Sequence, residues 1–541
     1  MKRGRRAIER WTSAIARGRG AWLFLICMAC VFSITSEPVF AKKSSVIKVD
    51  AQLKDQILST MRVLASDEFM GREPGTEGEA KTLRYLARQW FDLGLTSGTN
   101  DPGHAWFAPV TLVAREPAVS TAQFMRKGRL FPTAASDVLV LTSGRRSLVE
   151  GAPLLFVGHG TGKLPSRSEL AGRIAVMLDK LPDAAVGNAS GTAKPDNGVD
   201  SQNSKRQNAL LAGGASAVLT ILDGGRNLDS VSARRRRSGY ALAGDSLGGD
   251  LEGFITPAAM DHLLANGGNG AGALSNVAAL ALDADRVEFV PHVLDLAANM
   301  EATTRETTIR THNIIGKLPG RHPEAGAVLL LAHWDHFGSC AQPPAAHLIC
   351  NGAIDNASGV AALTEIARRL AKGPQLDRDV YFLGTTAEEL GLLGAEAFAE
   401  NPPLPLKNIV AALNLDSVAI APAGTPVAIV GKGMTGLETA IAAVAKEQKR
   451  NLSDSTAPNA YIKRQDGWAL LRHDVPALMV SSAYGEIARL EAFFDKDYHR
   501  PSDVVKAEIE LGGAAEDVVF HVALVRYLAD LRRFPIVGQA K

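Results

Sequence analysis

At 541 residues the chain is too long for one ordinary core, so a catalytic domain with at least one further module is expected. Hydrophobic residues at 46% and charged residues at 21% argue against wholesale disorder. Setting aside the seven basic and two acidic residues of positions 1–41 moves the formal charge from +2 to −3, a near-neutral balance that gives nucleic acid or an anionic membrane no footing as partner.

The first forty residues stand apart from the rest. Lys2, Arg3, Arg5, Arg6, Arg10, Arg17 and Arg19 precede an apolar run beginning at Ala21, and Val39-Phe40-Ala41 offers the small residues of a cleavage site. The run is shorter than the ~20 apolar residues that span a bilayer. Residues 1–41 therefore read as a signal peptide, and the mature chain is expected to be secreted or periplasmic with no stable membrane span. Residues 50–66 and 77–95 carry helical apolar spacing on either side of the turn Gly71-Arg72-Glu73-Pro74-Gly75-Thr76.

Beyond about residue 135 the texture changes to short strand-like runs, Val138–Thr142, Leu154–Val157, Ile174–Leu178 and Ala217–Leu222, among Gly, Ser and Asp. Residues 131–290 are expected to form a separate β-rich module, with the basic run Arg234–Arg237 as a solvated loop. From Thr307 onward, apolar runs of strand length (Ala327–Ala332, Val380–Gly384, Ile409–Leu415, Val427–Val430, Ala477–Ser481) alternate with helical stretches at 359–372, 390–400, 436–450 and 514–533. This pattern predicts an α/β domain with a largely parallel sheet flanked by helices. Cys340 and Cys350 lie in one loop and are expected to pair in an oxidising compartment.

Chemistry in such sheets gathers beyond the carboxyl ends of the strands. His333-Trp334-Asp335-His336 follows one apolar run directly, and Thr385-Thr386-Ala387-Glu388-Glu389 follows another. Asp355-Asn356-Ala357-Ser358-Gly359 leads into a helix, Asn414-Leu415-Asp416 closes a third strand, and Tyr498-His499 with Asp503 comes late. Each of these alone reads as a cap or a surface group. Together, two histidines and several carboxylates at successive strand ends suit zinc, which accepts imidazole nitrogen and carboxylate oxygen. Adjacent acids such as Glu388 and Glu389 are costly to bury without a cation between them.

His333-x-Asp335, Asp355-Asn356-x-Ser358-Gly359, Glu388-Glu389, Asn414-Leu415-Asp416 and Tyr498-His499 resemble, in order, the motifs of the co-catalytic di-zinc aminopeptidases of metallopeptidase family 28. Leu64-Ala65-Ser66-Asp67, Gly71-Arg72-x-Pro74-Gly75-Thr76-x-Gly78 and Asn313-Ile314-Ile315-Gly316 extend the resemblance. It implies a zinc exopeptidase fold and two Zn²⁺ ions, one held by His333 and Asp416, the other by Glu389 and His499, with Asp355 bridging. It also implies Glu388 as general base to a zinc-activated water, Asp335 and Asp503 as outer partners that orient the His ligands, and peptides with a free N-terminus as substrates.

Residues 131–290 resemble a protease-associated domain, chiefly through Asn208-Ala209-Leu210-Leu211-Ala212-Gly213-Gly214-Ala215. The chain then divides into a signal peptide (1–41), an N-terminal part of the peptidase domain (42–130), this insert, and the catalytic zinc peptidase domain (291–541). One stretch departs from the family pattern: Gln465-Asp466-Gly467 stands where many relatives carry Ser-Asp-His, and Tyr461 or His473 are the candidates to compensate. A glutaminyl-cyclase-like acyltransferase with a single zinc, and a receptor-type ectodomain whose site has decayed, are the alternatives. The complete ligand set and the retained Glu388 argue against both.

Overall fold

Continuous apolar runs, buried on both faces, build the centre of the sheet. The strands in chain order are β1 (Phe107–Arg126), β2 (Val138–Thr142), β3 (Arg146–Phe156), β4 (Ile174–Leu178), β5 (Ala217–Ile221) and β6 (Leu251–Ile255). They continue as β7 (His292–Leu318), β8 (Ala327–His333), β9 (Asp379–Thr385), β10 (Ile409–Asn414), β11 (Ala428–Val430) and β12 (Ala477–Ser481). The structure, a computed structural model, describes residues 49–103, 105–161, 163–179, 195–223, 226–237, 239–244, 250–265 and 274–535. The expected signal peptide lies outside them. No helix among the described residues is long and apolar enough to cross a membrane.

The strand order across the sheet is β11-β12-β10-β8-β9-β7-β3-β4-β5-β6-β2. β8 runs parallel to β9 and β10, and β10 parallel to β12. β3 through β6 form a second parallel set, so the sheet is mostly parallel, as its apolar runs predict. Every residue of β8 and of β9 is buried. One face is covered by a core that includes the helices Leu53–Leu64, Gly359–Ala371 and Gly512–Ala529, the other by the helices around Phe398 and Leu470.

β7 holds the two halves of the sheet together. It is 27 residues long, pairs antiparallel with β9 near its end, and pairs with β1 from Ala297↔Met125 to Ile314↔Phe107. Its amino-terminal half also pairs with β3, so residues 131–290 join the rest through a shared strand rather than a linker. That segment carries its own apolar cluster, with Leu154, Ile174, Leu219 and Ile255 among its buried members. The basic run Arg234–Arg237 is the end of a helix, Leu228–Arg237, which corrects the loop expected there. Four helix-forming side chains in a row carry no breaker, and charge repulsion in water is too weak to unwind them.

Arg72 explains the turn between the first two helices. The side chain is fully buried, and its guanidinium donates to the carbonyls of Trp334 (2.7 Å), Leu64 (2.8 Å), Asn351 (2.6 Å) and Gly352 (3.0 Å). It thereby fastens the first helix to the loops that follow β8 and precede Asp355. Burial lowers its pKa to about 10, which leaves it charged at neutral pH. Arg72→Met is expected to leave four buried carbonyls short of donors and to cost about 3–5 kcal/mol of stability, read as a lowered denaturant midpoint. A midpoint within about 0.5 kcal/mol of wild type would show that water replaces the guanidinium without loss.

Candidate metal centre

Each predicted ligand leaves a strand end or a loop that the sequence shapes locally. β8 ends on His333, and Asp416 sits two residues past β10. Glu388 and Glu389 follow β9 after a turn in which Ala387 takes a left-handed φ of 53°. Ser417 and His499, with φ of 51° and 58°, share this costly conformation, and such strain collects where surrounding contacts over-determine a functional loop.

The Asp355 loop is clamped from three sides. The Asn356 amide donates to Leu415 O (3.0 Å), and its carbonyl oxygen accepts from the N–H of Gly359 (2.9 Å) and of Ser417 (3.2 Å). Asn356 thus ties the start of helix Gly359–Ala371 to the Asp416 loop. Ser358 adds a second tie by donating to Ile354 O and accepting from Val418 N–H. A side chain at Gly359 would collide with the Asn356 carbonyl and with Leu415 O, which accounts for the glycine. Asp503 accepts the backbone N–H of Ile354 (3.0 Å) and of Asp355 (3.1 Å). The support expected from Asp503 to an imidazole therefore goes to the backbone that carries Asp355.

The five expected ligands converge. His333 Nε2 lies 3.2 Å from Asp355 Oδ1 and 3.6 Å from Asp416 Oδ1. His499 Nε2 lies 3.3 Å from the other oxygen of Asp355 and 3.0 Å from Glu389 Oε2. Asp355 therefore turns one oxygen to each pair. Glu388 joins His333 and Glu389 in a group whose ligand-type atoms lie within 4.8 Å of one another. Asp335 Oδ1 accepts the Glu388 N–H (3.1 Å) and stands 3.7 Å from His333 Nδ1, which lies 3.2 Å from the Asp335 backbone carbonyl.

His336 was not among the expected residues. It is buried, and its Nδ1 lies 2.5 Å from Glu389 Oε1, leaving Oε2 of the same carboxylate toward His499. The only sequence signal was its place beside His333-x-Asp335. Around Gln465-Asp466-Gly467, Thr385 donates to the buried Asp466 carboxylate, and a side chain at Gly467 would press on the Gln465 amide. Burial pushes Asp466 up to about 7. His473 is engaged with Glu396 (3.2 Å) on the surface, whereas Tyr461 belongs to an aromatic cluster that reaches Tyr498 through Phe494.

The electrostatics call for a cation. Burial drives the Glu388 carboxyl well above its usual range, and Glu389, Asp416 and Asp466 add to the effect against the opposing pull of His333. Burial also opposes charge on Asp355, yet the facing His333 and His499 hold its carboxyl well below the ordinary value. His333 Nε2, His499 Nε2 and Asp355 Oδ2 are buried atoms with no hydrogen-bond partner, although they face one another. Imidazole nitrogens and carboxylate oxygens with unspent lone pairs are the donor set that zinc takes, so the residues fit that metal. The Cys340–Cys350 disulfide closes the loop that leads into Asn351 and the Asp355 segment, as expected for this pair.

Residues 313–522 match the model of Peptidase family M28. The vacuolar membrane protease of Lachancea thermotolerans is 33% identical over 122 residues, which is 23% of this chain and 11% of that protein. The alkaline phosphatase isozyme conversion protein of Escherichia coli K12 is 28% identical over 128 residues, 22% of this chain and 36% of that one. The chain thus spans well under half the length of these curated relatives. An aminopeptidase from Aneurinibacillus sp. strain AM-1 has the same fold, with a TM-score of 0.50 at 19% identity over 89% of this chain and 94% of that one.

Proposed function

We propose that the chain, which matches the model of Peptidase family M28 over residues 313–522, is a zinc-dependent exopeptidase that removes residues from the free N-termini of peptides. The observation that carries the reading is Asp355, whose two oxygens face His333 with Asp416 on one side and His499 with Glu389 on the other. In this reading each pair would hold one Zn²⁺, with Asp355 available as a ligand to both. Zinc so bound acidifies water and polarises a carbonyl.

The remaining work falls to the chain's own residues. Glu388 accepts a proton at its carboxylate and returns it to the leaving amine, a task suited to a buried carboxyl whose proton affinity is raised. Asp335 fixes the backbone of Glu388, Asp503 fixes that of Asp355, and His336 fixes Glu389. The surrounding carboxylates give a substrate ammonium its counter-charge. The β-rich segment 131–290 acts as the protease-associated-like cover of the domain, and the disulfide together with the N-terminal sequence supports a secreted or periplasmic setting.

Hydrolysis of an amino-acyl anilide beside its N-acetylated counterpart tests the reading. Only the free amine is expected to react, with activity lost to a chelator and restored by zinc. Cleavage that a chelator leaves untouched would refute it.

A further inference from the structure

Beside the metal centre stands a cation with no protein carboxylate of its own. Arg464 closes the short helical turn Ala457–Arg464 and is exposed. Its guanidinium carbon lies 4.9 Å from the Phe494 ring, 5.2 Å from that of Tyr498 and 5.9 Å from that of Tyr461. The Tyr498 ring in turn stacks on the His499 imidazole, with centroids 3.6 Å apart. One aromatic layer therefore separates the guanidinium from an expected zinc ligand. Among the described residues no Asp or Glu forms an ion pair with Arg464, although the site next to it is crowded with carboxylates.

This arrangement is unusual for an arginine so placed. Three rings hold the planar group and restrict its motion, and a guanidinium fixed in this way offers its N–H edges to a carboxylate in a bidentate fork. None of the pocket's carboxylates pairs with it: Asp355, Asp416 and Glu389 face the histidines, Asp335 takes the Glu388 N–H, and Asp466 takes the Thr385 hydroxyl. Tyr498 shares a hydrogen bond with the guanidinium, and its other N–H groups, on an exposed side chain, can take a carboxylate from outside the chain.

We propose that Arg464 is a specificity residue that reads a carboxylate on the substrate, so that the preferred substrates are peptides presenting an acid close to the scissile bond. Two sources share that chemistry: the C-terminal carboxylate of a very short peptide, and the side chain of an acidic N-terminal residue. The inference rests on the zinc exopeptidase reading and adds the substrate class to it.

The test compares zinc-loaded wild type, Arg464→Gln and Arg464→Lys on two matched pairs, Leu-Leu against Leu-Leu amide and glutamyl anilide against glutaminyl anilide, with zinc content measured for each protein. Wild type is expected to favour the acid of one pair by about tenfold or more in kcat/KM, carried mainly by KM, as loss of a charge-assisted pair predicts. Arg464→Gln brings that ratio near one, and Arg464→Lys retains part of it. A preference in the first pair assigns short peptides, and in the second an acidic N-terminal residue. Because the readout is a ratio, any general loss from disturbing Tyr498 cancels. A wild-type ratio near one in both pairs, or a ratio that Arg464→Gln leaves unchanged, overturns the proposal. Failure of zinc-loaded wild type to cleave any of the four overturns the exopeptidase reading on which it rests.

Discussion

Glu388→Gln is expected to keep its full complement of zinc and to lose hydrolysis, with kcat falling by about 10²–10⁴-fold. The replacement has nearly the same shape and keeps the backbone N–H that Asp335 accepts, so the loop after β9 is held as before. What it removes is the capacity to take up a proton. The variant also separates two roles that geometry alone leaves adjacent, because Glu388 lies within ligand distance of His333 and Glu389. Metal analysis decides between them. A variant that drops a zinc equivalent makes Glu388 a ligand, and one that turns over normally removes it from the chemistry.

Asp355→Ala is expected to act on the other side of the same division. It deletes the side chain that stands between His333 and His499, while its backbone N–H still donates to Asp503 and Asn356 still clamps the helix start. The loop should persist and the metals should not. Zinc affinity is expected to fall by more than the ~10–100-fold that loss of a supporting residue costs, and activity with it. Two equivalents of zinc retained at wild-type affinity would remove Asp355 from the centre.

The parallel core was legible because strands buried on both faces are written as unbroken apolar runs. Ile174–Leu178, Ala327–His333 and Ala477–Ser481 fall where those runs lie. The long pair β1 and β7 was not, since each is half-exposed and interrupts its alternation with residues such as Pro117, Glu301 and Arg305. Their stability comes from pairing with each other over most of their length, a non-local property. In the site, the ligands could be picked out because each sits in a motif that resembles the family's, and His333, Glu389 and Asp416 also lie at or just past a strand end.

Of their supports, Asp335 and Asp503 were legible as residues, but the backbone amides they hold and the part played by His336 were not, for the partner is distant in sequence. His336 and Glu389 are 53 residues apart, and Asp503 and Asp355 are 148 apart. Arg72 shows the same limit: its motif was visible, but the four carbonyls it gathers come from three separate segments.

Zinc titration of the purified chain against a competing chromophoric chelator, with bound metal counted directly, tests the centre itself. The arrangement of His333, Asp355, Glu389, Asp416 and His499 predicts saturation at two equivalents per chain, and saturation at one, or no binding at all, would contradict it.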